Sequence, residues 1–242
     1  MGGLSPIYRH ADLYDAVYEG RGRSYEADSR ILARHVRERR PGASALLDVA
    51  CGTGRNLYYF ATEFAHVEGV DLAEDMLRAA RRRLPGVPLH RADMRDFRLG
   101  RRFDAVTCLF SSIGYTEDVG QMEAALRCFG RHLRSGGVLA VEPWYFPETA
   151  LSGHVTADLV TAGERRISRI SHVAVEGRLH RMTVHYLVGE PESGVRHLTD
   201  LHLLSLFTRR EYEAAFAEAG VTTVDLVDTG PGRPGLFIGV KA

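Results

Sequence analysis

The feature that most constrains this chain is a change of hydrophobic period at residue 45. Ala45-Leu46-Leu47-Asp48-Val49-Ala50 is a near-continuous apolar run, and Cys51-Gly52-Thr53-Gly54 follows it directly. A short run that is apolar at successive positions suits a strand covered on both faces, as in the interior of a parallel sheet. The pattern recurs along the chain. His66–Val70 ends in Asp71, Val87–His90 ends near Asp93, Phe103–Phe110 runs into Ser111–Tyr115, and Val138–Val141 ends in Glu142-Pro143. Helical patterns lie around these runs: Tyr25–Arg39 stopped by Pro41-Gly42, Ala73–Leu84 closed by Pro85-Gly86, and Asp118–Leu133 leading to Ser135-Gly136-Gly137. Strands alternating with helices predict an α/β fold with a doubly wound, mostly parallel sheet.

Residues 150–207 break the alternation. Ile167–Val175, Leu179–Val188 and His197–Phe207 read as three strands, with turns at Glu176-Gly177 and Glu192-Ser193-Gly194. This predicts a small antiparallel β insertion. Thr208–Ala219 then reads as a helix with Thr208 as N-cap and Gly220 as its stop. Val221–Val227 and Leu236–Val240, joined by Gly230-Pro231-Gly232-Arg233-Pro234-Gly235, give an antiparallel edge to the main sheet. The chain thus divides into an N-terminal lid or helical segment (1–44), a ligand-binding core (45–149), the insertion (150–207) and a C-terminal return to the core sheet (208–242).

Composition narrows the partners. Lys plus Arg and Asp plus Glu both number 31, so the formal net charge is zero. No global field draws the chain to nucleic acid or to an acidic membrane, and neither is expected as a partner. The three cysteines form no C-x-x-C pair, so neither a disulfide framework nor a zinc site is expected. That usage fits a reducing cytoplasm. No apolar run approaches the roughly 20 residues that span a bilayer, and Met1-Gly2-Gly3-Leu4-Ser5-Pro6 lacks the basic and apolar regions of a signal peptide.

In open α/β sheets a ligand sits beyond the carboxyl ends of the strands, near the switch point. Gly52 and Gly54 let the backbone approach that ligand, and the following helix N-terminus favours a carboxylate or phosphate. A dinucleotide loop would read G-x-G-x-x-G, but Leu57 stands at the third glycine. Asp48, just before the loop, would repel a pyrophosphate, whereas the ammonium of an amino-acid moiety could pair with it. Asp71 suits the two hydroxyls of a ribose, with Leu72 beside it. Asp93-Met94 suits adenine, the acid accepting from the exocyclic amine and the thioether packing on the ring.

Leu47-Asp48-Val49-Ala50-Cys51-Gly52-Thr53-Gly54 resembles the glycine motif of the class I S-adenosylmethionine-dependent methyltransferases. Asp71, Asp93-Met94 and Arg134-Ser135-Gly136-Gly137 match their further landmarks. This likeness covers about residues 45–145 and implies a seven-stranded Rossmann-like sheet. It implies S-adenosylmethionine as cofactor, with Tyr14, Asp48, Ala50, Gly52, Gly54, Asp71, Leu72, Asp93 and Met94 binding it. No metal is expected.

A narrower likeness covers nearly the whole chain. The segments 104–114, 141–147, 167–172 and 232–237 resemble the N,N-dimethyltransferases of TDP-linked amino-dideoxyhexoses, of the desosamine, mycaminose and forosamine type, from antibiotic pathways. The resemblance implies two methyl transfers to one sugar amine, at C3 or C4, and a homodimer in which the insertion helps bind the nucleotide sugar. For such an acceptor, Arg169 and Arg233, and more weakly Arg181, suit the diphosphate. Trp144 or Tyr145 suits the thymine ring. Tyr25 and Ser111 join the acceptor set, and Tyr14 and Tyr25 resemble lid tyrosines.

Ser112, Tyr115 and Glu142 stand at the strand ends expected to face the methyl group. Several sugar dimethyltransferases carry His after Ser-Ser-Ile-Gly, whereas Tyr115 stands here. A phenol with a pKa of about 10 is a poor base near neutrality. Tyr115 is therefore expected to position the amine or to pack against it, and Tyr115→Phe to keep substantial activity. Two alternatives stay open: methylation of another small amine or hydroxyl, which would have no use for Arg169 and Arg233, and a nicotinamide-dependent oxidoreductase, which Leu57 and Asp48 disfavour.

Overall fold

A computed structural model of the chain describes residues 5–230 and 232–242. Met1–Leu4, part of the stretch inspected for a signal peptide, and Pro231 of the glycine–proline connection lie outside the described residues.

The core is a seven-stranded sheet. Its strands are β1 (Ala45–Val49), β2 (His66–Asp71), β3 (Leu89–Arg91), β4 (Phe103–Cys108), β5 (Leu133–Val141), β10 (Val221–Val227) and β11 (Leu236–Lys241). The spatial order is β3-β2-β1-β4-β5-β11-β10, with β11 antiparallel to both neighbours and the rest parallel. The switch point therefore falls between β1 and β4, where a crevice opens at the strand ends. β1 and β4 are buried at every position, which is why they read as unbroken apolar runs.

Helices cover both faces. On one side α2 (Tyr25–Arg39) and α3 (Arg55–Glu63) pack Leu32, Val36, Leu57 and Phe60 onto Leu46, Ala105 and Val138. On the other, α5 (Val119–Arg131) and α6 (Arg209–Glu218) pack Leu126, Phe129, Tyr212 and Phe216 onto Val49, Cys108, Val141 and Phe237. α4 (Glu74–Arg83) joins β2 to β3. Thr208 caps α6 in a capping box with Glu211, as its position before the apolar period predicts.

The insertion is a separate antiparallel sheet in the order β6 (Val155–Ala162), β7 (Arg165–Glu176), β8 (Leu179–Glu190) and β9 (Gly194–Ser205). Three strands were expected and four form. β6 escapes the pattern because Val155, Ala157 and Leu159 point outward while Thr156 and Asp158 share its inner side with Val160. α1 (Ala11–Gly20), also unmarked by a clear period, buries Leu13 and Val17 against Val160, Ile167, Val184 and Val188 on the inner face of this sheet. Gly20 sits so close that a Cβ would stand 2.2 Å from a methyl of Val160.

Candidate active site

The ends of β1, β2 and β4, the tyrosines of α1 and the inner face of the inserted sheet converge on one region. Its cofactor half begins at the glycine loop. Ala50, Gly52 and Gly54 all have φ between 55 and 74°, the left-handed region, which is costly for the alanine. Asp71 fixes the loop: its carboxylate accepts from Gly52 N at 2.7 Å and from Ala73 N at 2.8 Å. Leu57 fills the place of a third glycine because the tight spot has moved across to β2. A Cβ on Gly69 would approach Leu57 Cδ2 to 2.9 Å.

Asp48 is 2% exposed, and Thr107 Oγ1 donates to it at 2.7 Å. Burial pushes its carboxyl up to about 7, and Asp71 adds to the shift. Such a group lacks only a cation, which the ammonium of an amino-acid moiety supplies. Leu72 presents an apolar side chain that is 46% exposed beside Asp71, suited to an adenine face. Met94 is half-buried against the core. Asp93 has a partner invisible from the sequence. Arg95 donates to it from Nε at 2.9 Å and from Nη2 at 2.5 Å, and this guanidinium holds the carboxyl below its usual range. These groups fit S-adenosylmethionine: a buried acid for its ammonium, a glycine cradle, an acid at the ribose position and apolar groups for adenine.

The acceptor half is built on strain. Phe110 and Ser111 both have φ 55°, two consecutive non-glycine residues in the left-handed region, at the end of β4. Hydrogen bonds hold them there. Glu142 Oε2 accepts from Phe110 N at 2.8 Å, and Ser111 Oγ donates to Pro143 O at 2.7 Å. Ser112 Oγ donates to Leu109 O at 2.9 Å. Glu142, grouped with the reacting residues on sequence grounds, is thus a buried clip between two strand ends, with Arg23 Nη2 also 3.6 Å from it.

Aromatic rings line the region: Tyr14 against Tyr18 (centroids 4.6 Å), Tyr18 against Phe110 (5.7 Å) and Tyr25 stacked on Phe110 (5.3 Å). Arg23 lies over the Phe110 ring, its guanidinium carbon 4.0 Å from the centroid. Among the described residues the buried Tyr25 hydroxyl has no hydrogen-bond partner. Tyr115, 37% exposed, reaches two side chains that its sequence context does not reveal. Its Oη lies 2.7 Å from Tyr8 Oη and 2.7 Å from His202 Nδ1.

The expected acceptor residues separate. Arg169 points to the inner face of the inserted sheet and is 5% exposed, held by Ser171 Oγ at 3.0 Å and Asp158 at 3.4 Å. Trp144 donates from Nε1 to His180 Nδ1 at 2.7 Å. Arg233 pairs with Asp28 at 2.9 Å, at the mouth of α2. Arg181 alternates to the outer face with His185 and Leu187, opposite to Arg169, and is not brought to this region within one chain. Tyr8, Arg23, Phe110, His180 and His202 are site neighbours that sequence reasoning missed.

Comparison with known proteins agrees with this architecture. A family model described as "Methyltransferase domain" matches residues 46–137. The chain is 52% identical to the dTDP-3-amino-3,4,6-trideoxy-alpha-D-glucopyranose N,N-dimethyltransferase of Streptomyces venezuelae, over 96% of this chain and 98% of the relative. It is 46% identical to the dTDP-4-amino-2,3,4,6-tetradeoxy-D-glucose N,N-dimethyltransferase of Saccharopolyspora spinosa, over 96% and 92%. The crystal structure of Streptomyces venezuelae DesVI superposes with a TM-score of 0.93, covering 96% of this chain and 98% of that one at 52% identity. An S-adenosylmethionine-bound amino pentose methyltransferase of calicheamicin biosynthesis from Micromonospora echinaspora gives a TM-score of 0.89 at 46% identity, covering 95% and 97%. Strand order, glycine loop and near-full-length likeness together make the chain a member of the dTDP-amino-sugar N,N-dimethyltransferase family.

Proposed function

We propose that the protein transfers two methyl groups in succession from S-adenosylmethionine to the amine of one TDP-linked amino-dideoxyhexose. The observation that carries this reading is the acceptor half of the site. The Phe110–Tyr115 turn, the tyrosines of α1 and the buried Arg169 face one another where a nucleotide sugar would lie.

Bound S-adenosylmethionine supplies a sulfonium-activated methyl group. The chain supplies alignment, dryness and a route for protons. Ionised Asp48 pairs with the cofactor's ammonium, Asp71 receives the ribose hydroxyls, and Leu72 and Met94 flank the adenine. Tyr14 and Tyr25 close the site from the N-terminal segment, keeping water from the reacting carbon. Arg233 and Arg169 take the diphosphate, and Trp144 with Tyr145 borders the base. The amine must be neutral and in line with the methyl, so placement by Ser111, Ser112 and Tyr115 carries much of the rate. Glu142 acts by holding the Phe110–Ser111 turn in its strained form.

The insertion, residues 150–207, serves acceptor binding on its inner face and self-association on its outer face. The outer face exposes Val155, Leu159, Ile170, Leu187, Val195, Leu201 and Leu203 on one sheet, a concentration of apolar side chains that suits a partner surface. This supports a homodimer. No helix among the described residues is long and apolar enough to cross a membrane, and the free cysteines suit a cytoplasmic setting.

The test is a mass-spectrometric assay with S-adenosylmethionine and TDP-amino sugars bearing the amine at C3 or C4. Gains of one and then two methyl groups on one sugar support the reading, and relative kcat/KM assigns the carbon. Tight cofactor binding with no methylated sugar would reject the acceptor and leave the fold assignment standing.

A further inference from the structure

Tyr115 does not stand alone at the reacting end of the site. Its Oη is 2.7 Å from His202 Nδ1, and His202 Nε2 is 3.0 Å from Asp200 Oδ2. His202 is 5% exposed and Asp200 2%. Both point inward from β9, two residues apart, so the pleat places them side by side. Ser5 Oγ donates a short hydrogen bond to Asp200 Oδ1, and its hydroxyl is 3.4 Å from His202 Nδ1. Tyr8 Oη, 2.7 Å away, is the second group on the phenol oxygen.

The geometry points to His202 as a proton acceptor that acts on the substrate amine through the Tyr115 hydroxyl, with Asp200 as its positioning residue. The inference rests on the proposed amine methylation. The Asp200 carboxylate 3.0 Å from Nε2, close but not aligned as a hydrogen bond, favours the imidazole proton on that nitrogen by its charge, so the Nδ1 lone pair faces the phenol. Tyr115 O–H therefore donates to His202. Its oxygen accepts from Tyr8 O–H with one lone pair and keeps the other for an N–H of the acceptor.

The proton balance is simple. An ammonium N–H bond breaks and its proton forms an O–H bond at Tyr115. The former Tyr115 O–H bond breaks and a new N–H bond forms at His202 Nδ1. The products are a neutral amine and an imidazolium beside Asp200, which returns its proton to solvent. The amine must be freed in this way before each transfer, and the second time from a methylated ammonium. Burial pushes the Tyr115 phenol up and leaves almost none of it as phenolate near neutrality, so the phenol can take the amine's proton only if it passes its own to His202. The other ionisable groups facing this cluster are Tyr14 and Tyr18 on α1 and Tyr186 on β8, with Arg169 on β7 next to them.

The test compares wild type with His202→Gln, Tyr115→Phe and the double variant, using the substrate found in the assay above. The expected result is a loss in kcat of about a hundredfold at pH 7 for each single variant, no further loss in the double variant, and an unchanged Kd for S-adenosylmethionine. The deficit should narrow towards pH 9, where solvent leaves more of the amine neutral. An equal deficit at every pH would mark a structural effect and overturn the relay, as would wild-type rates in either variant. If His202→Gln does not fold, Tyr115→Phe alone decides, because it keeps the ring and removes only the link. A wild-type protein that methylates no amino sugar would reject the proposed function and the relay together, whereas an active wild type with fully active variants rejects the relay alone.

Discussion

The indole N–H of Trp144 donates to His180 Nδ1 at 2.7 Å, tying the loop after β5 to the inner face of the inserted sheet. His180 Nε2 lies 3.3 Å from Leu151 O, so one nitrogen accepts and the other donates, which is the neutral tautomer. Burial pushes the His180 pKa down. With the folded value below the unfolded one, the joint contributes its stability above about pH 6.5, the unfolded value, and loses it as pH falls through the folded value. Trp144 is the only tryptophan, so its fluorescence reports this joint alone. Emission should change as pH is lowered from 7 to 5, and His180→Gln should flatten the titration. An unchanged titration in that variant would assign the change to another group.

Asp48 links cofactor binding to pH. Its carboxyl, pushed up to about 7, holds a proton below that value in the free protein, whereas the cofactor's ammonium calls for the ionised form. Affinity for S-adenosylmethionine should weaken by about tenfold for each pH unit below 7, with proton release on binding at pH 6. Calorimetry in buffers of different ionisation enthalpy measures that release. Asp48→Asn should bind more weakly, with affinity independent of pH over the same range.

Arg233 and Arg169 should behave differently although both suit a diphosphate. Among the described residues Arg233 is paired only with Asp28, at the edge of the site, so Arg233→Ala should fold normally. It should raise KM for the TDP-sugar by about tenfold or more, the worth of one charged hydrogen bond, and leave KM for S-adenosylmethionine unchanged. Equal effects on both would remove Arg233 from the acceptor site. Arg169 is buried among Asp158, Thr156 and Ser171, so Arg169→Ala should also lower thermal stability, by about 3 kcal/mol.

The outer face of the inserted sheet gives a separate test. Leu187→Asp or Leu201→Asp should leave cofactor binding intact and turn a dimer into a monomer in analytical ultracentrifugation. A wild-type protein that sediments as a monomer at micromolar concentration would reject self-association through this face.

The nucleotide-type core was legible because every element of it obeys one rule at a time. β1 and β4 are apolar throughout, and each strand end carries a polar or glycine residue. What the sequence concealed breaks such rules for stated reasons. The buried side of α1 includes Asp15, whose carboxylate is held by Thr53, Arg55 and Arg83, so the helix shows no clean apolar stripe. β6 carries apolar residues on the side open to water. Tyr115 and His202 are 87 positions apart, and only the fold of the insertion over the strand ends makes them neighbours. The departure from histidine at position 115 was visible in the sequence; the histidine that meets it was not. The proposed relay predicts a loss for Tyr115→Phe, where the sequence alone leads one to expect substantial activity.

The packing of α1 on the inserted sheet sets an order of events during synthesis. α1 leaves the ribosome with residues 11–20, but the valines and isoleucine that receive Leu13 and Val17 lie at positions 160–188. Until those strands emerge, Leu13 and Val17 lack the face that covers them, although Ala11 and Asp15 of the same helix already meet α4 and the glycine loop. The wall of the site formed by α1 is therefore made before the sheet that covers it and completed only once that sheet has formed.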